Sequence, residues 1–318
     1  MRRGVIYQLE VPHREAMQIR GFEFGDERGE HACAIVGSTR GNEVQQTFVC
    51  ASLVERLSNL EREGAIAPRK SVLVIPCVNP YSMNIHERFW PSDGTDINRR
   101  FPGNPKGETT ERIAAAVMRV VRLYAYGIQL CSFNQPGDFQ PHVRVAYQGP
   151  ISDESLELAP DFGLPFVVRR NPSPFDTGTL NYAWQQCGTH AFSLYSRATD
   201  RLDMRSARTV IDAVLRFLEA RGIVRLPSDE AVAQGALSSR LDEADLVDVR
   251  TTRASGFLIP MLQAGDHVTE GTPIAQVRDT LDAGTLETLQ SPINGRVFFM
   301  RTNPLVQQHM VVARIAPD

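Results

Sequence analysis

Short apolar runs alternate with helical-period stretches up to about residue 225, and from Val249 onward the pattern changes to brief strands between glycine turns. Val5–Val11 and Ile19–Phe24 alternate enough to predict strands, and Ala32–Val36 reads as a buried strand. Val49, Leu53, Leu57 and Leu60 recur at helical spacing, as do Ile113, Val117, Val120 and Tyr124. Ser71–Pro76 and Gly127–Cys131 are short apolar runs of the kind found in central parallel strands. Ala191–Tyr195 predicts a further strand, and Ile211, Val214 and Leu218 a last helix closed by Gly222. Strands alternating with helices predict an α/β domain with a largely parallel or mixed sheet over residues 1–225. Residues 226–245 are acidic and rich in small side chains, and read as a linker or edge segment. Residues 246–318 predict a small all-β sandwich module.

Composition narrows the function classes. An apolar share of 42% and a charged share of 22% describe an ordinary globular protein. The net charge of -3 comes from mixed signs, with no basic stripe for nucleic acid and no polybasic membrane patch. There is no apolar run long enough to span a bilayer and no signal-peptide pattern. Five scattered cysteines, Cys33, Cys50, Cys77, Cys131 and Cys187, include no C-x-x-C pair and predict free thiols in a reducing cytoplasm.

Two stretches carry the chemistry. Gly37-Ser-Thr-Arg-Gly-Asn-Glu43 follows a strand and precedes a helix, where α/β sheets place ligands. Residues 79–106 form a long loop, and loops of that length are usually functional or disordered. It contains Arg88-Phe-Trp-Pro-Ser-Asp-Gly-Thr-Asp-Ile-Asn-Arg-Arg-Phe-Pro-Gly103.

Together these motifs resemble those of the aspartoacylase/succinylglutamate desuccinylase family, relatives of the zinc carboxypeptidases. Asp96, Asn98, Arg99, Phe101, Pro102 and Gly103 match its Asp-Leu-Asn-Arg-x-Phe-Pro-Gly segment, and Gly41, Asn42 and Glu43 match its His-Gly-Asn-Glu turn. The resemblance implies a zinc carboxypeptidase-like fold and amide hydrolysis of N-acyl amino acids. It assigns substrate binding to Arg88, Asn98 and Arg99, whose guanidinium and amide donors suit a carboxylate. It also implies a metal site that this chain has altered. Arg40 stands where a zinc-ligating histidine is expected, and a guanidinium has no lone pair to donate. Cys131 stands at the second histidine, Gln129 at the supporting aspartate and Tyr195 at the general-base glutamate. Glu43 and Cys131 alone fall short of the three protein ligands of a catalytic zinc. These replacements predict an Arg40–Glu43 ion pair in place of the metal. Of the histidines, His13, His31, His142, His267 and His309 read as scattered, while His86 and His190 are placed to reach the pocket mouth. The C-terminal near-repeat, Gly256–Val268 against Gly295–Val306, resembles a biotinyl/lipoyl module. With no lysine after Lys106 it lacks the residue that carriers acylate.

Three functions stay open from sequence. The first is a non-zinc homologue that keeps an anion pocket for a small carboxylate or N-acyl amino acid and needs no cofactor. The second is an active deacylase with zinc rebuilt around Glu43 and Cys131. The third is a structural subunit paired with an active paralogue. A homo-oligomer is compatible with each.

Overall fold

The computed structural model describes residues 1–10, 15–133, 135–197, 201–227, 232 and 235–318. His13 lies outside the described residues. The chain divides into two units. One comprises Met1–Ser132 and Pro141–Ser239, the other Phe133–Gln140 and Arg240–Asp318.

The first unit opens with β1 (Arg2–Leu9), β2 (Met17–Gly25), β3 (Glu30–Ser38), α1 (Val44–Arg62) and β4 (Lys70–Cys77). The short α2 (Pro80–Met83), α3 (Thr109–Val121) and β5 (Tyr126–Cys131) follow. After β6 (Gly137–Phe139), which belongs to the second unit, come β7 (His142–Ala146), α4 (Pro150–Leu158) and β8 (Phe166–Arg170). Then come α5 (Leu180–Gln186), β9 (His190–Tyr195) and α6 (Met204–Ala220). The strands lie side by side as β1-β2-β4-β3-β5-β9-β7-β8. The central pairs β4/β3, β3/β5 and β5/β9 are parallel, while β1/β2, β2/β4 and β7/β9 are antiparallel. The sheet is therefore mixed, with its parallel part in the middle.

Two apolar layers flank it. Strand side chains alternate faces, so Ile128 and Leu130 of β5 and Phe192 and Leu194 of β9 point to one layer. There they meet Val49, Leu53, Leu57 and Leu60 of α1 and Val210, Val214 and Leu218 of α6. The helical spacing read from the sequence is the buried stripe of α1. Ala34, Val36 and Ala191 face the other layer with Ile113 and Val117 of α3 and Leu180 and Trp184 of α5. Gln129, Cys131, Ser193 and Tyr195 share this second face, farther along the same strands. Apolar packing thus fills the sheet centre and hands over to polar side chains at the C-terminal ends of β5 and β9.

The second unit adds β10 (Ser239–Asp242), which begins on the last residue of the first unit, β11 (Val247–Arg250), β12 (Gly256–Pro260), β13 (His267–Val268) and β14 (Pro273–Arg278). It ends with β15 (Thr285–Gln290), β16 (Gly295–Arg301), β17 (Leu305–Val306) and β18 (Val311–Pro317). One sheet runs β11-β18-β16-β13 and a second β15-β14-β12-β17, packed around Val268, Ile274, Val277, Val297, Val312 and Ile315. The excursion Phe133–Gln140, which the sequence reading left inside the first domain, pairs as β6 with β16. Phe139 stacks on Phe133 and meets the Phe299 ring at 4.4 Å, an anchor that three-residue strands give little warning of. Within the 226–245 stretch, Ala236 and Ser239 donate their N–H groups to Gly163 and Pro165 carbonyls, so residues 236–239 run along the sheet edge.

Candidate functional site

Glu43 is the centre of the site. It occupies the N-cap position of α1 without a side-chain capping bond, and its side chain is fully buried. Its Oε2 accepts from the Thr39 N–H at 2.9 Å and the Arg40 N–H at 3.0 Å. Oε1 accepts from the Ser132 hydroxyl and from Arg40 Nη1 at 3.1 Å. The turn that makes this geometry needs Gly41: a Cβ there would lie 2.3 Å from the Glu87 carbonyl oxygen and 2.4 Å from Ser82 backbone. The Gly41 N–H in turn donates to the Arg88 carbonyl, tying the turn to the long loop.

Arg40 is 5% exposed and is held by two carboxylates. Besides Glu43, it donates from Nε at 3.1 Å and Nη2 at 2.9 Å to Asp96 Oδ2. Asp96 is itself fixed by capping the Asn98 N–H at 2.9 Å. Burial works against the Arg40 charge, but Glu43 and Asp96 outweigh it and hold the guanidinium protonated above its ordinary range. The ion pair expected from sequence is present, and Asp96 is a second partner that the sequence reading matched to a motif without giving it this role.

The remaining residues are placed by the strands. Gln129 donates from Nε2 to Asn98 Oδ1 at 3.0 Å, and the Leu180 N–H donates to the same oxygen at 3.2 Å. Asn98 Nδ2 makes no hydrogen bond among the described residues, so its two N–H donors remain for another partner. Arg88 is half-buried, reaches Asn42 Oδ1 at 3.5 Å and lies 5.5 Å from the Phe89 ring centroid. Burial first, and the nearby Arg40 charge second, lower its pKa. Arg99 goes elsewhere: its Nη1 donates to the Phe175 carbonyl at 2.6 Å and pairs with Asp176 at 3.3 Å.

Cys131 is buried, its carbonyl accepts from Gln46 Nε2 at 3.0 Å, and burial pushes its thiol up to about 11 against the opposing pull of Arg144. Tyr195 sits beside it in register on β9, 3% exposed, stacked on His142 with ring centroids 4.8 Å apart. The Arg144 guanidinium lies 4.5 Å from the Tyr195 ring centroid. The sequence reading assigns no role to Arg144 or Ser193 and treats His142 as scattered, although His142-Val-Arg-Val-Ala146 alternates as a strand should and is the available signal.

Neither histidine expected near the mouth joins this group. His190 opens β9 at the end away from Tyr195, about 16 Å at the usual strand rise, and contacts Ser155 and Glu154. His86 is exposed on the loop at a positive φ of 55°. Among the described residues, no three His, Cys, Asp or Glu side chains gather as a metal-binding group. The donor set does not fit zinc. The one carboxylate at the turn has its oxygens engaged by five donors, and a permanent cation lies against it.

Comparison with known proteins completes the description. Residues 30–221 match the succinylglutamate desuccinylase/aspartoacylase catalytic domain. An N-alpha-acetyl-L-2,4-diaminobutyric acid deacetylase of Halomonas elongata is 25% identical over 265 residues, covering 81% of this chain and 73% of the relative. A succinylglutamate desuccinylase/aspartoacylase structure from Rhodobacter sphaeroides superposes with a TM-score of 0.79 at 21% identity, covering 99% of this chain and 95% of that one. The product-bound ectoine utilization protein EutE of Ruegeria pomeroyi superposes at 0.76 with 18% identity, covering 99% and 94%.

Proposed function

The chain belongs to the succinylglutamate desuccinylase/aspartoacylase family, and we propose that it is a member without zinc hydrolysis that retains a pocket for a small carboxylate or N-acyl amino acid. One observation carries this reading: the Arg40 guanidinium is clamped between Glu43 and Asp96 at the turn where the family resemblance expects a metal ligand. An arginine buried between two carboxylates is neutralised in place. Admitting a divalent cation would require breaking both pairs and expelling a guanidinium that cannot deprotonate. Tyr195 adds support, because a phenol stands where the family resemblance expects a carboxylate base. Arg88 and the open Nδ2 of Asn98 are the binding groups of this pocket, and Arg99, committed to Asp176, stands behind them.

The test is a survey of N-acetyl and N-succinyl amino acids by thermal shift, run alongside a deacylation assay with and without added zinc. The reading expects stabilisation by at least one N-acyl amino acid and no release of acid. Turnover abolished by a chelator would return the protein to the zinc deacylases. Absence of stabilisation by every acid would favour a structural subunit.

A further inference from the structure

We propose that Arg144 anchors a carboxylate subsite in this pocket, an assignment that rests on the anion-pocket reading and specifies which side chain grips the acid. Among the arginines around the site, Arg40 is paired with Glu43 and Asp96, and Arg99 and Arg170 with Asp176. Arg144 differs. It is half-buried, yet among the described residues no carboxylate pairs with it and none accepts a hydrogen bond from it.

Among the described residues its guanidinium carbon lies over the Tyr195 ring, 4.5 Å from the centroid. Tyr195 is itself immobilised by the nearly parallel His142 ring, with an interplanar angle of 8°. A guanidinium resting on an aromatic face keeps its N–H donors in its own plane, so the cation is oriented and its fork left unused. That is a receptor geometry for a planar, bidentate acceptor, and a carboxylate is one.

The neighbours are polar and neutral. Arg144 stands opposite Ser193 across β7/β9, and Ser193 opposite Gln129 across β9/β5. Gln129 shares the Asn98 oxygen with the Leu180 N–H, and Asn98 Nδ2 makes no hydrogen bond among the described residues. The polar row therefore combines a cation with no carboxylate partner among the described residues with the unused Asn98 amide donors, which suits the carboxylate and carbonyl of one N-acyl amino acid.

The experiment is calorimetric titration of the full chain with succinate and with N-acetylglycine at low salt, using the natural protein, Arg144→Met, Arg144→Lys and Arg88→Met. Methionine keeps the packed stem and removes the charge, lysine keeps charge and loses the fork, and circular dichroism confirms folding of each. Loss of a charge-assisted pair predicts roughly 10- to 100-fold weaker binding for Arg144→Met, with Arg144→Lys in between. Unchanged binding by Arg144→Met with loss in Arg88→Met would overturn the subsite and leave the pocket standing. No binding of either acid by the natural protein would overturn both.

Discussion

Replacing Arg40 by methionine removes the cation from between two carboxylates while keeping most of the side-chain volume. Glu43 is fully buried and Arg40 5% exposed, so this is an interior pair, for which deleting one partner costs about 3–5 kcal/mol. The structure points to the low end. Glu43 keeps the Thr39 and Arg40 N–H groups and the Ser132 hydroxyl, and Asp96 keeps the Asn98 N–H. We expect a loss of about 3 kcal/mol, which at an m-value of about 2–3 kcal/mol/M lowers the urea midpoint by about 1–1.5 M. The two tryptophans, Trp90 and Trp184, are both buried in the first unit, so their fluorescence follows that unit alone. A double-mutant cycle with Glu43→Gln should return a coupling of about 2 kcal/mol. A cost below about 1 kcal/mol, the range of an exposed pair, would refute the interior clamp.

Two further outcomes follow from the same geometry. Cys187 is exposed, whereas Cys131 is buried with its thiol pushed up to about 11. A thiol reagent at neutral pH should therefore label Cys187 promptly and Cys131 only on unfolding, and fast labelling of Cys131 would contradict its burial in the folded site. Burial disfavours the charged form of Asp176, but the donors of Ser173 and Arg170 outweigh it and hold the carboxyl well below the usual range. Its contribution is thus present at neutral pH, starts to fall below the unfolded value of about 4 and is lost only in stronger acid. The stability gap between the natural protein and Asp176→Asn should narrow below that pH, and a gap constant from neutral pH down to pH 3 would contradict the assignment.

The parts legible in sequence were those governed by local periodicity and by specific motifs. The stripe of α1 and the apolar runs of β3, β4 and β5 name their own faces, and the Gly37–Glu43 turn shows an arginine where the resemblance expects a histidine. What escaped depended on partners distant in the chain. Arg40 finds Asp96 across 56 positions, and Arg144 meets Tyr195 only because β7 runs antiparallel beside β9. Arg99 sits in the best-matched motif, yet its direction is decided by Phe175 and Asp176, more than 70 residues on. Strand β6 is three residues long, and its pairing with β16 has no periodic signal at all.

The central claim is that a guanidinium takes the place of the metal in this family member. Metal content by plasma mass spectrometry, on tag-free protein grown with added zinc, tests it most directly. The account predicts far less than one zinc per chain. One zinc per chain, lost on Cys131→Ala, would contradict it and make Cys131 a ligand of a rebuilt site.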